Sequence, residues 1–293
     1  MEKACSICPR NCSALRGENW GGYCMSPALP RVARAAAHFG EEPCIGGSRG
    51  TGAVFFTGCN LRCVFCQNRE ISRGGPGRTL TVPQLKELFL RLRDRGVSSL
   101  DLVTGTHYTP WIAEALSGLE LGIPVVWNSS GYESVESLRQ LEGLVQVYMP
   151  DFKYWKGDIA RRYSAAEDYP AVAKAAIKEM YRQVGPYELD GEGLMKRGVL
   201  IRHLILPGQD LNAMDVMDFA AEEFPAGSVM FSLMSQYTPM PGLDKFPELQ
   251  SPIEPELNER LISYMRRLGL EGYWQETGSA TEEMIPDFDL TGL

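Results

Sequence analysis

The segment TGCNLRCVFCQN, residues 57–68, carries three of the chain's eight cysteines in the spacing C-x3-C-x2-C. It follows an apolar run that predicts a buried strand over residues 53–57. One loop with three thiolates can hold one iron–sulfur cluster, and a cube of four irons then keeps one iron without a protein ligand. Cys59, Cys63 and Cys66 are therefore predicted to bind a 4Fe-4S cluster with an open iron. The alternatives are a structural zinc site or a plain electron-transfer cluster.

Beyond this loop, short apolar runs alternate with helical patterns and end in Gly, Pro, Asn or Ser. The predicted strands are residues 53–57, 100–104, 125–128, 145–150, 199–206 and 229–234. The predicted helices are residues 83–95, 111–121, 134–141, 170–184, 212–224 and 256–268. Short right-handed crossovers make such a sheet parallel, and six units are too few to close an eight-stranded barrel. The predicted fold is α/β, an open partial (β/α)6 barrel, with a surface loop over residues 239–255.

The N-terminal part of the chain differs from this pattern. Residues 1–50 are rich in Cys, Gly, Pro and Arg, which predicts a small metal-binding segment and an irregular lead-in before a core of residues 51–293. Four thiolates are available here for a closed site, from Cys5, Cys8, Cys12 and Cys24. Their spacing fits either zinc or an auxiliary iron–sulfur cluster. Cys44 stands alone, and the default for such a residue is an inert buried thiol, with a substrate-side or redox role as the alternative.

Composition and charge exclude several classes of function. The 293 residues carry a net charge of -8, and the basic residues are dispersed, which argues against nucleic-acid binding. No apolar run approaches the roughly 20 residues of a membrane span, and the first residues lack the pattern of a secretory signal. Seven cysteines in two tight groups favour metal-binding thiolates over disulfides. We therefore expect a cytoplasmic protein without a membrane or nucleic-acid partner.

Polar residues collect where the predicted strands end, at the edge where parallel α/β folds bind ligands. Arg202 lies within an apolar strand, so we expect it to point into the barrel towards an anion, with an internal salt bridge as the alternative. His203 faces the other side and is expected to be packed. His107, at the rim, has either a binding or a structural role. His38 is assigned none.

The motif C-x3-C-x-aromatic-C, with Phe65 at the aromatic position, resembles the radical S-adenosylmethionine (SAM) superfamily. The combination of motifs resembles the branch related to pyruvate formate-lyase activating enzymes that has an added N-terminal cysteine motif. The supporting stretches are residues 5–12, 38–44, 55–68, 151–153 and 202–208. The resemblance implies that the open iron chelates SAM and that one-electron reduction yields a 5′-deoxyadenosyl radical, which abstracts hydrogen from a substrate.

The resemblance also implies roles for rim residues. Asp151 would help a cation or SAM site, and Lys153 would pair with the SAM carboxylate; the alternative is a solvated pair at the strand end. The chain departs from the family where Thr104-Gly105-Thr106-His107 replaces Gly-Gly-Glu, which leaves Gly105 and backbone carbonyls for the SAM amino group. It departs again where Asn128-Ser129 replaces Asp-Thr. The predicted cofactor-binding residues are Phe65, Gly105, Asn128, Ser129, Asp151, Lys153 and Arg202.

These features predict a radical SAM oxidoreductase that abstracts hydrogen from a glycine of a protein or peptide, as activating enzymes do. The alternative is a radical SAM enzyme that modifies a peptide or a small molecule. An alternative of another class is an iron–sulfur electron carrier or a zinc-stapled interaction protein without catalysis. The enzyme would need a one-electron reductant such as flavodoxin or ferredoxin.

Overall fold

Seven parallel strands form the centre of the computed structural model, which describes residues 4–17, 21–276 and 286–293. The strands in chain order are β1 (Arg31–His38), β2 (Thr51–Phe56), β3 (Arg78–Thr79), β4 (Leu100–Val103), β5 (Val125–Ser129), β6 (Val147–Pro150), β7 (Glu188–Leu189), β8 (Met195–Leu204), β9 (Met230–Met234) and β10 (Gly272–Trp274). Their order in the sheet is β10-β9-β8-β6-β5-β4-β2-β1-β3, with β7 beside β8. The prediction of an open parallel α/β sheet is confirmed, and the six predicted strands are all present.

The helices cover the outer face of this sheet. They are α1 (Pro43–Gly46), α2 (Arg69–Ser72), α3 (Val82–Asp94), α4 (Thr109–Leu116), α5 (Val135–Arg139), α6 (Gly157–Ser164), α7 (Tyr169–Val184), α8 (Asp210–Glu223) and α9 (Pro255–Arg267). Helix α3 starts at a capping box in which Thr81 and Gln84 exchange hydrogen bonds. The helix predicted over residues 111–121 ends earlier, at Leu116, because the chain turns through Gly118 at φ +66°.

The central strands are buried on both faces, as parallel sheets covered by helices are. All six residues of β2 and all five of β5 are buried. The largest fully buried side chain, Trp127, comes from β5 and joins a core that includes Phe56 and Tyr108. This rigid sheet fixes the positions of the loops that leave its carboxyl ends.

The predicted irregular lead-in is wrong for residues 31–38, which form β1 antiparallel to β2, with Ala35 opposite Val54. Alanine has low strand propensity, so this alanine-rich run carries a weak β signal. Residues 286–293 lie along the same strand, where Leu290 N–H donates to Ala33 O at 3.1 Å. The division of the chain at residue 50 stays a prediction.

Three more elements differ from the predicted pattern. Strand β10 adds a seventh parallel strand beside β9. Helix α6 forms directly after the Asp151 to Lys153 stretch, where no helix was predicted. A 3-10 turn, Pro247–Leu249, interrupts the predicted loop over residues 239–255 and buries Leu249. None of the helices that the structure describes is both long and apolar enough to cross a bilayer.

Candidate active site

A cavity of about 230 Å³ opens at the carboxyl ends of β2, β4, β5, β6 and β8. Nine of the ten residues predicted for the core site line it: Cys59, Cys63, Phe65, Cys66, Asn128, Ser129, Asp151, Lys153 and Arg202. Gly105 lies outside the lining and packs against the core, where a Cβ would meet Ile112 at 2.8 Å and Trp127 at 3.0 Å. The neighbouring Thr104 lines the cavity instead, with φ +60°, an unusual conformation for a β-branched residue. A SAM contact from Gly105 stays a prediction.

The cysteine loop is anchored to the barrel on several sides. Asn60 is buried, and its Nδ2 donates to Tyr132 O at 2.6 Å. The backbone N–H of Val64 donates to Tyr163 O at 2.9 Å, which ties the loop to α6. Gly58, at φ +95°, has no space for a side chain, since a Cβ would overlap Ser26 Oγ. These contacts hold the three cysteines at the cavity wall.

Two of the three thiols of this loop have perturbed pKa values. Burial, reinforced by the neighbouring Cys63, raises the pKa values of Cys59 and Cys66, while the Lys153 ammonium opposes the shift. Cys59 Sγ accepts a hydrogen bond from Leu61 N–H at 3.4 Å. A buried thiol with a raised pKa keeps its proton until a bound metal displaces it, because metal ligation requires the thiolate. The donor set of three thiols around one cavity therefore fits an iron–sulfur cluster.

A charge network lies beneath the cysteines. Arg202 Nε pairs with Asp151 Oδ1 at 3.0 Å, Nη1 pairs with Glu41 Oε1 at 3.0 Å, and Nη2 donates to Asn128 Oδ1 at 2.7 Å. Lys153 Nζ pairs with the other oxygen of Asp151 at 2.6 Å. Burial opposes ionisation of Asp151, but the two cations outweigh it and hold its pKa below the usual range. Of the two interpretations of Arg202, the structure shows the internal salt bridge.

Glu41 and two further carboxylates beside this network, Asp101 and Glu42, were not singled out from the sequence. Glu41 also accepts from Asn128 Nδ2 at 3.1 Å and lines the cavity. Burial, with the Glu41 charge, raises the pKa of Asp101 well above its usual range. Burial raises the pKa of Glu42 to about 7. An acidic residue inside an apolar strand, as at Asp101, was the available signal, the same one that marked Arg202.

Glu133 is another buried carboxylate that the sequence analysis missed. Its oxygens accept from Trp127 Nε1 at 2.7 Å, Thr106 Oγ1 at 3.0 Å and Ser129 Oγ at 2.6 Å. Ser129 therefore donates its only hydroxyl proton to Glu133. Its oxygen can then accept a hydrogen bond from a bound molecule. Glu133 thus fixes the carboxyl ends of β4 and β5 relative to each other.

All three histidines have structural contacts, and that of His38 is an edge-on ring contact with Phe55 at 6.1 Å. His203 is buried, and its Nδ1 lies 2.6 Å from Phe152 O, which matches the predicted packed role. His107 is also buried, with Nε2 3.0 Å from Thr57 O, and burial lowers its pKa to about 3. It does not line the cavity, whereas His38 does.

The N-terminal cysteines lie away from the cavity, and none of them lines it. Cys8 and Cys24 are buried, Cys5 is half-buried and Cys12 is exposed. Burial, with the charges of Cys24 and Cys5, raises the pKa of Cys8 to about 11, so these three thiols are neighbours. Across the described ranges, no three His, Cys, Asp or Glu side chains are arranged to hold a single metal ion, either in this segment or in the loop of Cys59, Cys63 and Cys66. The N-terminal metal stays a prediction.

This segment docks on the barrel beside the cysteine loop. Arg10 Nε donates to Asn60 O at 2.8 Å, and its guanidinium stacks 4.0 Å from the centroid of Tyr23. Ser134 Oγ donates to Ile7 O at 3.1 Å. The N-terminal segment is therefore in direct contact with the loop that carries Cys59, Cys63 and Cys66.

Comparison with known proteins identifies the class. The family description "Radical SAM superfamily" matches residues 53–220, more than half of the chain, so the chain belongs to the radical SAM superfamily. An uncharacterised protein of Methanocaldococcus jannaschii is 28% identical over 279 residues, 92% of this chain and 76% of that protein. The anaerobic ribonucleoside-triphosphate reductase-activating protein of Enterobacteria phage T4 is 27% identical over 125 residues, 37% of this chain and 80% of that protein.

Solved structures share the fold. Streptococcus suis SuiB bound to precursor peptide SuiA superposes with a TM-score of 0.52 at 14% identity, covering 74% of this chain and 46% of SuiB. HydG, a maturase of the FeFe-hydrogenase, gives a TM-score of 0.50 at 15% identity, covering 73% of this chain and 49% of HydG. The chain thus spans about half the length of these structures. Family membership implies an enzyme that performs radical chemistry with a 4Fe-4S cluster and SAM.

Proposed function

We propose that Cys59, Cys63 and Cys66 bind the 4Fe-4S cluster and that SAM occupies the cavity beside them. The observation that carries this proposal is the lining of a single cavity by the three thiols together with Lys153 and Asp151. Three thiols leave one iron of a cube open, and the cavity gives a second molecule access to it. When bound, the two groups supply a 5′-deoxyadenosyl radical for hydrogen abstraction.

The protein's own residues bind and orient SAM. Lys153 attracts the SAM carboxylate, because a buried ammonium and a carboxylate form a charge-assisted pair. The hydroxyl oxygen of Ser129 can accept a hydrogen bond from the SAM amino group, because the Ser129 hydroxyl proton is donated to Glu133. Arg202 is occupied by Asp151, Glu41 and Asn128, so it acts by holding these groups in position at the cavity.

Part of the cavity wall is apolar and serves to exclude water. Phe65 is buried and packs edge-on against Tyr154 and Tyr237, at centroid distances of 6.5 and 6.2 Å. Phe55 and Leu204 also line the cavity. Exclusion of water protects a radical intermediate from side reactions.

We propose that the substrate is a glycine of a protein or peptide, from which the enzyme abstracts hydrogen as activating enzymes do. The reductase-activating protein of phage T4 supports this assignment, although its similarity covers 37% of the chain. A one-electron reductant such as flavodoxin or ferredoxin would supply the electron. Cys5, Cys8, Cys12 and Cys24 would hold a second metal, and the protein would act in the cytoplasm.

Reductive cleavage of SAM tests the proposal. Protein reconstituted with iron and sulfide under anaerobic conditions, reduced with dithionite and mixed with SAM should form 5′-deoxyadenosine, detected by mass spectrometry. A Cys44→Ser variant is the matched control, because Cys44 is buried away from both cysteine groups and should leave product formation unchanged. No 5′-deoxyadenosine from fully loaded protein would support an electron carrier instead.

The substrate class needs a second measurement. Anaerobic extract of the source cells, supplied with reduced enzyme and SAM, should develop a glycine-centred radical signal in electron paramagnetic resonance. The signal should depend on both additions and stay with protein after gel filtration. Hydrogen transfer to 5′-deoxyadenosine from low-molecular-mass compounds alone would contradict the activase assignment.

A further inference from the structure

A chain of two buried hydroxyl groups ends at the sulfur of Cys63. Ser164 Oγ lies 3.0 Å from Cys63 Sγ and 2.6 Å from the hydroxyl of Tyr154. Ser164 and Tyr154 are both fully buried. A metal-bound thiolate has no proton, so it can only accept, and Ser164 must then donate to it. Because a serine has one hydroxyl proton, Tyr154 in turn donates to Ser164.

This donor chain is held in place by the backbone around it. Ser164 is the last residue of α6, and the preceding Tyr163 O accepts from Val64 N–H in the cysteine loop. Arg10 donates to Ser164 O at 3.3 Å, to Ala165 O and to Asn60 O at 2.8 Å. One guanidinium from the N-terminal cysteine segment therefore clamps the end of α6 against the loop that carries Cys63.

The other two sulfurs of the loop have different donors: backbone N–H groups, from Leu61 to Cys59 and from Asn68 to Cys66, and the hydroxyl of Ser72 to Cys66. Leu61 N–H reaches Cys59 Sγ at 3.4 Å. The hydroxyl of Ser72 contacts Cys66 and lies at the cavity wall, where water can replace it. Cys63 is thus the cysteine whose sulfur accepts from a chain of two buried hydroxyl groups, those of Ser164 and Tyr154.

Hydrogen bonds to the sulfurs of an iron–sulfur cluster help to set its reduction potential. Reduction adds negative charge to the cluster and its ligands, so a donor stabilises the reduced form more than the oxidised form. Low local polarity strengthens this effect, and a second hydroxyl polarises the first. Removal of the chain should therefore make reduction less favourable.

We propose that Ser164, supported by Tyr154, is a positioning residue that raises the reduction potential of the cluster held by Cys63. Arg10 makes this hydrogen bond depend on the docking of the N-terminal cysteine segment. The inference rests on the proposed function, because it places a cluster at Cys63.

The midpoint potential of the cluster, measured by redox titration with electron paramagnetic resonance, tests this inference without turnover. The catalytic cluster is recognised as the one whose spectrum changes when SAM is added. Ser164→Ala should lower the equilibrium constant for reduction about tenfold, which is about 59 mV for one electron. Tyr154→Phe should shift the potential in the same direction by less, and it leaves the serine in place if Ser164→Ala fails to fold.

The control is Ser72→Ala, which removes the half-buried hydroxyl that contacts Cys66 at the cavity wall and should shift the potential less than Ser164→Ala. An unchanged or more positive potential in Ser164→Ala, or an equal shift in Ser72→Ala, would overturn the inference. Failure of the proposed function looks different: wild-type protein would show no cluster signal that responds to SAM, or Cys63→Ala would retain that signal.

Discussion

The two cysteine groups use the same residue type in opposite surroundings. Cys59, Cys63 and Cys66 line a cavity at the strand ends, with a lysine among them, whereas the four N-terminal cysteines lie outside it. Three thiolates beside a cavity would leave a coordination position for a second molecule, whereas four thiolates would complete a closed site. The number of thiols and their access to a cavity, rather than their spacing alone, separate a catalytic site from a structural or auxiliary one.

The two groups are nevertheless in contact. A Cβ at Gly58, next to Cys59, would lie 2.6 Å from Cys24 O. On the other side of the loop, Arg10 bridges Asn60 to the end of α6. A structural change in the N-terminal segment should therefore alter the conformation of the cysteine loop through these backbone contacts, even though the two groups share no cysteine.

The largest expected effect is on the cavity side. Cys63→Ala should abolish reductive cleavage of SAM, because two thiolates and a methyl group leave the cluster without one of its three protein ligands. The measurement is 5′-deoxyadenosine formation under anaerobic, dithionite-reduced conditions, normalised to folded protein. Residual 5′-deoxyadenosine near the wild-type level would assign the catalytic cluster to other cysteines.

Cys8→Ala should have the opposite profile. Iron or zinc bound by the N-terminal segment should fall, while 5′-deoxyadenosine formation persists in protein that stays folded. Loss of a structural metal can remove about 10 kcal/mol or more of binding energy that supports a local fold, so thermal unfolding must be measured alongside. Folded Cys8→Ala that keeps its full metal content but makes no 5′-deoxyadenosine would contradict the division between the two groups.

The sequence predicted the cavity side well because its signals are local. C-x3-C-x2-C lies within one loop, and the apolar runs that precede each rim residue are strands in the structure. Asp151 and Lys153 follow β6 directly, so strand order alone places them at the same edge as Cys59. Helix boundaries were less accurate, as at Leu116, where Gly118 ends a pattern that continues in the sequence.

Residues that act through distant partners were not predictable. Glu133 becomes significant only because Trp127, Thr106 and Ser129 converge on it in the folded chain. Ser164 lies 101 positions from Cys63, in a helix too short to show a clear period. Tertiary contacts of this kind leave no local pattern, so the structure was needed to find them.

A pH effect should also arise beside the charge network of the cavity, at Glu42. Burial raises the pKa of Glu42 from 4.5 to about 7, with Arg202, Glu41, Asp151 and Ser232 facing it. The folded state then keeps a proton that the unfolded chain releases, so stability falls as pH rises from 4.5 to 7. A glutamine at position 42 does not titrate, so the stability of the Glu42→Gln variant should not fall in this way.

Between pH 5.5 and pH 8, the free energy of unfolding of the wild type should therefore fall by about 2 kcal/mol relative to Glu42→Gln. Urea unfolding at both pH values measures the difference, and the variant keeps an oxygen that can accept from Ser232 Oγ. Glu259→Gln, an exposed glutamate on α9, is the matched control and should show no such difference. Parallel pH profiles for wild type and Glu42→Gln would show that Glu42 is ionised in the folded protein.

The smallest expected effect separates SAM binding from metal binding within the cavity side. Lys153→Met keeps the length of the side chain and the backbone contacts of residue 153 but removes the ammonium. Asp151 retains its pair with Arg202, so no carboxylate is left without a cation. SAM affinity should fall about tenfold, the low end for a lost charge-assisted hydrogen bond, and iron content should not change.

Calorimetric titration of reconstituted protein with SAM measures this loss, and iron analysis of the same samples checks the cluster. Lys156→Met is the matched control, because Lys156 is exposed three residues further along and is not part of the cavity lining. An equal loss of affinity in both variants would indicate a general charge effect, whereas a loss of iron in Lys153→Met would make the ammonium a partner of the thiolates rather than of SAM. Unchanged affinity with full iron content would place the SAM carboxylate elsewhere, and the distinction between an open and a closed cysteine group would then rest on Cys59, Cys63 and Cys66 alone.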